Sequence, residues 1–588
     1  MNEVWNLDPI YKGFDDPAFD SDLNELKKII AAAADFTVEL PELDPIEGLR
    51  RGIALREKEL DLTMRLSGYA YLRQAADTRD EEAGSQLGRV MAVHSEFAGS
   101  SAAFQDWAAK LPNLMELVRG DGQLKQFEFL FQTLADQSRY LLGSKGEEIM
   151  ARMELSGGSA WSELQQYLTS TVPVTYRGTT TNLSAIRNLA YDPDPQVRKD
   201  AYEAELACYP LIRDSVAYAL NSIKLETISD CKLRGFESPL DRTLKDADMK
   251  RETLDAMLGA MDEYLPKFWK YLKVKAKALG HENGLPWYDL FAPIGKFASK
   301  FTAEGAREYL VTLFSEFDEE LAQMTARAFD EAWIDFYPRD GKAGGAFCAD
   351  VGCLKESRIL TNFDGMFGDV VTLAHELGHA FHNHCIFDHS VLNQGYSMPL
   401  AETASTFNEC VVVDAAIAKA ADDQEKLALI DSQLQDITQV ICDIYSRYRF
   451  ETMVFENREE RFMGADTLCD FMLTAQKQSY GDGLDHSLLH PYMWVCKSHY
   501  YGPTFYNFPY AFGALFARGL YARYEKYGAA FVPEYKCLLH TTTVATAEDT
   551  AKVADIDLTD KDFWRAALQT VADRVDQFCE LLEEHHEE

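Results

Sequence analysis

The sequence predicts a mainly α-helical protein of two lobes, with one small β-sheet beside a buried helix that carries paired histidines. Three observations lead there. At 588 residues the chain is longer than a single hydrophobic core ordinarily grows, so two or more lobes are expected. Through most of its length apolar residues recur three and four apart, as at Leu23, Leu26, Ile29 and Ile30, which is the period of an amphipathic helix. β-Branched and glycine-bounded tracts are confined to two places, Thr171–Asn182 and about Ala346–Asn362.

From about Ser21 to Ser170 the pattern is that of long amphipathic helices, with Pro41, Pro45 and Gly48 punctuating the first break. Ser156-Gly157-Gly158-Ser159 reads as a loop, and a helix follows near Trp161–Tyr167. The Thr-rich tract with Pro173 and Gly178 predicts a short hairpin at a lobe boundary, dividing the chain into an N-terminal helical lobe, residues 1–180, and a second domain, residues 181–588. Helices resume from Leu183 through Met261 and Phe317. Gly344–Cys348 and Ser357–Phe363 then predict two short strands, and helices continue to Leu581-Leu582-Glu583-Glu584. No internal repeat or low-complexity tract interrupts this order.

The most informative stretch is His375-Glu376-Leu377-Gly378-His379. On a helix, residues four apart share a face, so the two imidazoles can bind one Zn²⁺ while Glu376, between them, serves as general base for a water. Asp369–Ala374 leads in with apolar residues at helical spacing, and Leu373, Leu377 and Phe381 continue the stripe, so the helix should be buried. Two histidines and a glutamate on a buried helix need partners, because an unpaired buried polar group costs several kcal/mol. Gly378 costs about 1 kcal/mol of helix propensity relative to Ala, and close approach of another backbone or of the substrate would account for it.

A catalytic zinc usually has three protein ligands and one open position. Glu402 is the candidate third ligand, in a helix expected to start with Ser397 as N-cap and Pro399 in its first turn, running on through Cys410 and Asp414. Glu409 lies seven residues further, on the same face, placed to accept the free N–H of a ligating histidine. Among the other histidines, His382 is expected near the site or at the surface. His384 and His389 have no useful spacing to the pair, and His94, His281, His540, His585 and His586 carry no motif. Cys348 and Cys385 are expected near the site or as small buried hydrophobes.

Thr372–His379 followed by Ala401–Glu409 resembles the M3 metallopeptidases, and within them the oligoendopeptidase F branch. Trp287–Pro293 and Ile334–Phe347 are similar to the same branch. The resemblance is strong from about Pro286 to Arg518, looser from about Thr180 to Pro286, where Val197–Tyr202 fits, and returns at the opening Trp5–Asp8. It implies a zincin-like, two-lobed peptidase with a substrate channel between the lobes. It also implies that a histidine and tyrosines of His499–Gly513 hydrogen-bond the substrate and the oxyanion; carried over, these are His499, Tyr506 and Tyr510. Phe508 departs from the pattern, standing where many relatives have tyrosine. An edge strand near Gly344, Gly345, Ala346 and Phe347 is implied to pair with the substrate backbone, with the two glycines allowing close approach.

Composition narrows the partners. With 58 basic against 95 acidic residues the net charge is −37, which argues against nucleic acid and anionic membrane surfaces. No apolar span of about 20 residues predicts a transmembrane helix, and Met1–Asn6 lacks the basic and apolar regions of a signal peptide. The 11 cysteines, odd in number and without C-x-x-C pairs, fit reduced thiols in the cytoplasm. The expected function is a cytoplasmic zinc endopeptidase, one Zn²⁺ per chain, acting on short unfolded oligopeptides as a monomer or small homo-oligomer. Two alternatives stand beside it. One is a zinc carboxypeptidase or dipeptidase, which would need a cation such as Arg358 or Arg518 for the substrate's terminal carboxylate. The other is a non-catalytic peptide-binding protein with a residual metal site.

Overall fold

Helices start where the sequence supplies a cap and a proline. Asp16 accepts the N–H of Ala18 ahead of helix Pro17–Glu39, and Asp44 accepts those of Ile46 and Glu47 ahead of Pro45–Ala76. Asp194 and Ser238 do the same before Pro195 and Pro239. Each side chain satisfies an N–H that has no intrahelical partner, and proline fits the first turn because its missing N–H costs nothing there. Gly48 is thus inside a helix, where it admits the Trp107 ring; a methyl group at that position would lie 2.6 Å from it.

The computed structural model describes residues 3–295, 300–502 and 504–587, and all of their side chains except those of Ser144 and 584–587. Pro503, in the aromatic stretch after His499, lies outside the described residues, as do the side chains of His585 and His586. The architecture is mainly helical with small sheets, as the sequence predicts. Among the described residues no helix is long and apolar enough to cross a membrane.

The chain forms two compact units, each assembled from three separate segments. The first comprises Met1–Arg139, Ser299–Val412 and Arg523–Asp555. Its three-stranded sheet has Glu356–Leu360 in the centre, parallel to Ile334–Asp335 and antiparallel to Phe347–Val351. In the antiparallel pair Phe347 faces Leu360 and Val351 faces Glu356. Phe347, Ala349 and Val351 turn one face toward Trp5, Tyr69 and Leu72 of the N-terminal segments. This period-two alternation leaves Cys348 for the opposite face, where the helix Phe367–Ile386 packs. The N-terminal segment is tied in by backbone: Asn6 donates to the Ala332 carbonyl, and Phe336 donates to that of Glu3.

The second unit comprises Tyr140–Ala298, Val413–Ala522 and Ile556–Glu588. Residue 180, the lobe boundary expected from the sequence, lies inside it. The expected hairpin is present, Val174–Tyr176 against Thr179–Thr181, turned by Arg177 and Gly178 at φ 47° and 82°. Positive φ at both central residues is the type I′ turn that matches strand twist, and Gly178 supplies it without strain. The loop expected at Ser156–Ser159 shrinks to one residue. Gly157 alone separates helices Gly143–Ser156 and Gly158–Thr171, and a methyl group there would lie 2.7 Å from the Glu226 carboxylate. Val174, Leu220, Phe450, Met472, Trp494 and Tyr500 belong to one apolar core of this unit. The last helix, Lys561–Glu587, lies along Arg251–Ala278, with Arg565 paired to Glu263 and Trp564 fully buried.

Candidate active site

The motif helix runs Phe367–Ile386. Its start is fixed by Asp369, whose carboxylate accepts the N–H groups of Asp364 and Met366. Val370, Leu373, Ala374, Leu377, Ala380 and Phe381 are buried, so the apolar stripe faces the core. Gly378 meets the reason for its presence in the first turn of the next helix. A methyl group there would sit 2.5 Å from the Ala404 carbonyl oxygen and 2.6 Å from Ser405 Cα. Of the two explanations open from sequence, close approach of another backbone is the one present.

That second backbone differs from expectation. Ser397 and Pro399 open a short 3₁₀ turn, Met398–Leu400, and the Ser397 hydroxyl makes no capping bond. The α-helix starts only at Thr403 and runs to Ala418. Glu402 stands immediately before it, with its carbonyl accepting the Thr406 N–H. The carboxylate therefore occupies a helix N-terminus, where the backbone dipole favours negative charge.

Three donor atoms converge between these elements. His375 Nε2 and His379 Nε2 are 3.2 Å apart, and Glu402 Oε2 lies 3.3 Å from the first and 3.4 Å from the second. Bonds of about 2.0–2.1 Å in tetrahedral array put ligand atoms about 3.3 Å apart, so the triangle fits a zinc-sized ion. The supporting bonds fit as well. His375 Nδ1 is 2.6 Å from Glu409 Oε1, which leaves Nε2 in the triangle, and Ser405 Oγ donates to Glu402 Oε2 at 2.8 Å. Asn408 Nδ2 donates to the Ala374 carbonyl at 3.1 Å, fastening the two elements together.

The electrostatics follow from this packing. Burial opposes a charge on His375, but Glu409, Glu376 and Glu402 outweigh it and raise its pKa to about 9. Burial likewise opposes ionised Glu402, yet His379, His375 and the Ser405 hydroxyl hold it down to about 2. Glu376 is 5% exposed, and burial raises its pKa above the ordinary carboxylate value although both imidazoles pull the other way. Burial thus leaves it a stronger base than a free glutamate, as a proton carrier requires.

His382, expected near the site or at the surface, is fully buried. It stacks on Tyr396 at 4.4 Å and bonds Thr542 Oγ1 through Nε2 at 2.7 Å. Cys348 is on the edge strand, where burial and the Glu376 charge keep it a thiol. Cys385 feels instead Glu320 and Lys536, and burial pushes it up to about 12. Gly344 and Gly345 form a bend just before strand Phe347–Val351, exposed, with Gly345 at φ 77°; Ala346 joins the bend to the strand. Asn362 Nδ2 holds the bend by donating to the carbonyls of Ala343 and Gly345. In the second unit His499, Tyr506 and Tyr510 form one aromatic cluster, with ring centroids 5.4–5.9 Å apart. Tyr506 is 43% exposed, while Phe508 is buried and offers no donor. Burial, with Arg447 and Lys497 nearby, lowers the His499 pKa and keeps the ring neutral.

Sequence reasoning missed Ser405, Asn408 and Tyr396. The first two lie within the Ala401–Glu409 stretch, but only tertiary packing shows what they bond.

A model of peptidase family M3 matches residues 188–570. The chain belongs to that family. It is therefore a metal-dependent peptidase, and the His375–His379–Glu402 triangle lies within the matched segment. Two curated relatives align along nearly all of it. Oligopeptidase PepF of Bacillus subtilis is 22% identical, covering 99% of this chain and 87% of its own length. Group B oligopeptidase PepB of Streptococcus agalactiae is 23% identical, covering 98% and 97%. The crystal structure of oligoendopeptidase-F from Enterococcus faecium shares the fold with a TM-score of 0.72, at 18% identity over 96% of this chain and 99% of that one. Arg358, a candidate for reading a substrate's terminal carboxylate, is 1% exposed and committed to Glu356 and to the carbonyls of Asn6 and Ser357. This M3 peptidase thus cannot use Arg358 as an exopeptidase would.

Proposed function

We propose that this M3 peptidase is a zinc endopeptidase that hydrolyses internal bonds of short unfolded oligopeptides, with one Zn²⁺ held by His375 Nε2, His379 Nε2 and Glu402 Oε2. The observation that carries the reading is the 3.2–3.4 Å triangle of donor atoms with the buried Glu376 between the two histidines. Two imidazoles and one carboxylate are a donor set suited to zinc. When bound, the ion supplies Lewis acidity toward the scissile carbonyl and makes a water acidic enough to be deprotonated near neutral pH.

The remaining chemistry is assigned to the chain's own side chains. Glu376 takes the proton of the attacking water and delivers a proton to the leaving amine nitrogen, for which a raised pKa suits it. Glu409 holds the His375 ring through Nδ1, so that Nε2 stays in the triangle. His499, Tyr506 and Tyr510 donate hydrogen bonds to the peptide and to the oxyanion, each worth a few kcal/mol in the transition state. The outer edge of Phe347–Val351 pairs with no strand among the described residues. It is the place for strand addition by the substrate backbone, with Gly344, Gly345, Ala346 and Phe347 leading into it.

The printed names of the relatives, oligopeptidase and oligoendopeptidase, support oligopeptides as substrates. The match over 188–570 supports residues 181–588 as the part of the chain that carries the catalytic machinery. Eleven cysteines, all free, support the cytoplasm.

The test is turnover of a short internally quenched peptide blocked at both ends, with and without chelator, by wild type and Glu376→Gln. Internal cleavage abolished by both treatments is expected. Trimming only of the free-ended peptide would replace this reading with an exopeptidase, and inertness of the metal-loaded protein toward both peptides would end the catalytic assignment.

A further inference from the structure

We propose that Asp388, His389 and His540 form a second binding site for a divalent transition metal, apart from the His375–His379–Glu402 triangle. Asp388 and His389 follow the end of the motif helix at Ile386, and His540 is in helix Val532–Thr541. One ligand atom from each of the three lies within 4.8 Å of the other two. His540 Nε2 is 3.1 Å and 3.3 Å from the Asp388 oxygens, and the two imidazole rings are 4.0 Å apart between centroids.

The orientation of His389 is the second observation. Its Nδ1 lies 3.3 Å from the Asn393 carbonyl oxygen and 3.0 Å from Thr543 Oγ1. A carbonyl only accepts, so Nδ1 carries the ring proton and Nε2 keeps its lone pair. That is the arrangement of a metal-ligating imidazole, whose other nitrogen is anchored by an acceptor. Asn393 is itself held, its Nδ2 donating to the Gln126 carbonyl, and the His389 backbone is held by Gln394, whose Nε2 donates to the His389 carbonyl.

Access and donor chemistry agree. Solvent reaches the ligand atoms, since the His540 side chain is 43% and the Asp388 side chain 69% exposed, and His389 also lines a cavity of about 400 Å³ with Glu57, Asp350 and Gln394. Two nitrogens and one oxygen select Zn²⁺, Cu²⁺ or Ni²⁺ over Mg²⁺ or Ca²⁺. With a more exposed ligand set than that of the His375–His379–Glu402 triangle, the ion binds here more weakly. It joins the far end of the helix carrying His375 and His379 to helix Val532–Thr541, beside the buried His382–Thr542 hydrogen bond.

The test is equilibrium dialysis of the full chain against Zn²⁺, with metal content read by elemental analysis and folding checked by circular dichroism. Wild type is expected to bind two ions per chain with distinct affinities, and His389→Gln and His540→Gln one. His379→Gln is expected to lose the tighter ion and keep the weaker, which separates this site from the catalytic assignment. Should both histidine variants fail to fold, Asp388→Asn decides, with weakening of the second ion by about 10-fold or more expected for a lost ligand. One ion per chain at saturation, or a second ion unaffected by these substitutions, would overturn the proposal.

Discussion

Replacing Gly378 by alanine sets two effects of opposite sign against each other. Alanine is the better helix former, by about 1 kcal/mol, and would stabilise an isolated helix. In this chain its methyl carbon would lie 2.5 Å from the Ala404 carbonyl oxygen, 2.6 Å from Ser405 Cα and 2.8 Å from the Ala404 carbonyl carbon. All three atoms are backbone, so no side-chain rotation relieves the contact. Restoring ordinary separations of about 3.5 Å requires the two segments to part by roughly 1 Å, and overpacking of that kind costs about 1–3 kcal/mol. The clash therefore outweighs the propensity, by up to about 2 kcal/mol. Function should suffer more than stability. His375 and His379 are on one side of the contact and Glu402 on the other, so the displacement opens a triangle whose sides are only 3.2–3.4 Å. Gly378→Ala is expected to lower the thermal midpoint modestly, weaken zinc binding about 10-fold or more, and reduce peptide turnover in step with metal loss. Chelator competition followed by melting of apo and loaded protein measures these separately. A variant as stable as wild type with unchanged zinc affinity would refute the claim that this glycine sets the distance between the ligand-bearing segments.

Glu409→Gln keeps an acceptor near His375 Nδ1 but removes the charge at 2.6 Å. Zinc affinity should fall about 10-fold to 100-fold with the fold intact, and unaltered affinity in a competition titration would show that Glu409 does not support the ligand. Glu226 is raised to about 7 by burial and by the nearby Glu154 carboxyl. Since the folded chain holds that proton more tightly than the unfolded one, the associated stability is full below about pH 4.5 and is lost as pH rises through about 7. The pair is largely solvated, so the loss is about 1 kcal/mol after screening. Glu226→Gln should flatten the decline seen by urea denaturation between about pH 5 and about pH 8, and an unchanged decline would remove this pair as its source.

The motif helix and the hairpin within Thr171–Asn182 were legible because each rests on a local rule, spacing four apart in the one and a Thr-rich, β-branched tract with Pro173 and Gly178 in the other. The start of the Glu402 helix was misjudged because Ser397 and Pro399 look like a cap and first turn. The structure spends them on a 3₁₀ turn, and Glu402 takes the terminal position itself. Burial of Arg358 depends on the carbonyl of Asn6, and that of His382 on Thr542 and Tyr396, partners far away in sequence. The division into two units, each of three separated segments, has the same origin: composition at residue 180 marks a hairpin, whereas packing decides which segments share a core.

The outer edge of Phe347–Val351, which pairs with no strand among the described residues, is also a liability. A row of unpaired backbone groups welcomes any extended chain, including the same strand of another copy. Under the proposed strand addition, the edge has to stay clear of any covering helix and of proline. A net charge of −37 offers a remedy that leaves the edge clear, since copies repel one another before their edges meet. High salt, which screens that repulsion, should then be the condition under which this protein begins to self-associate.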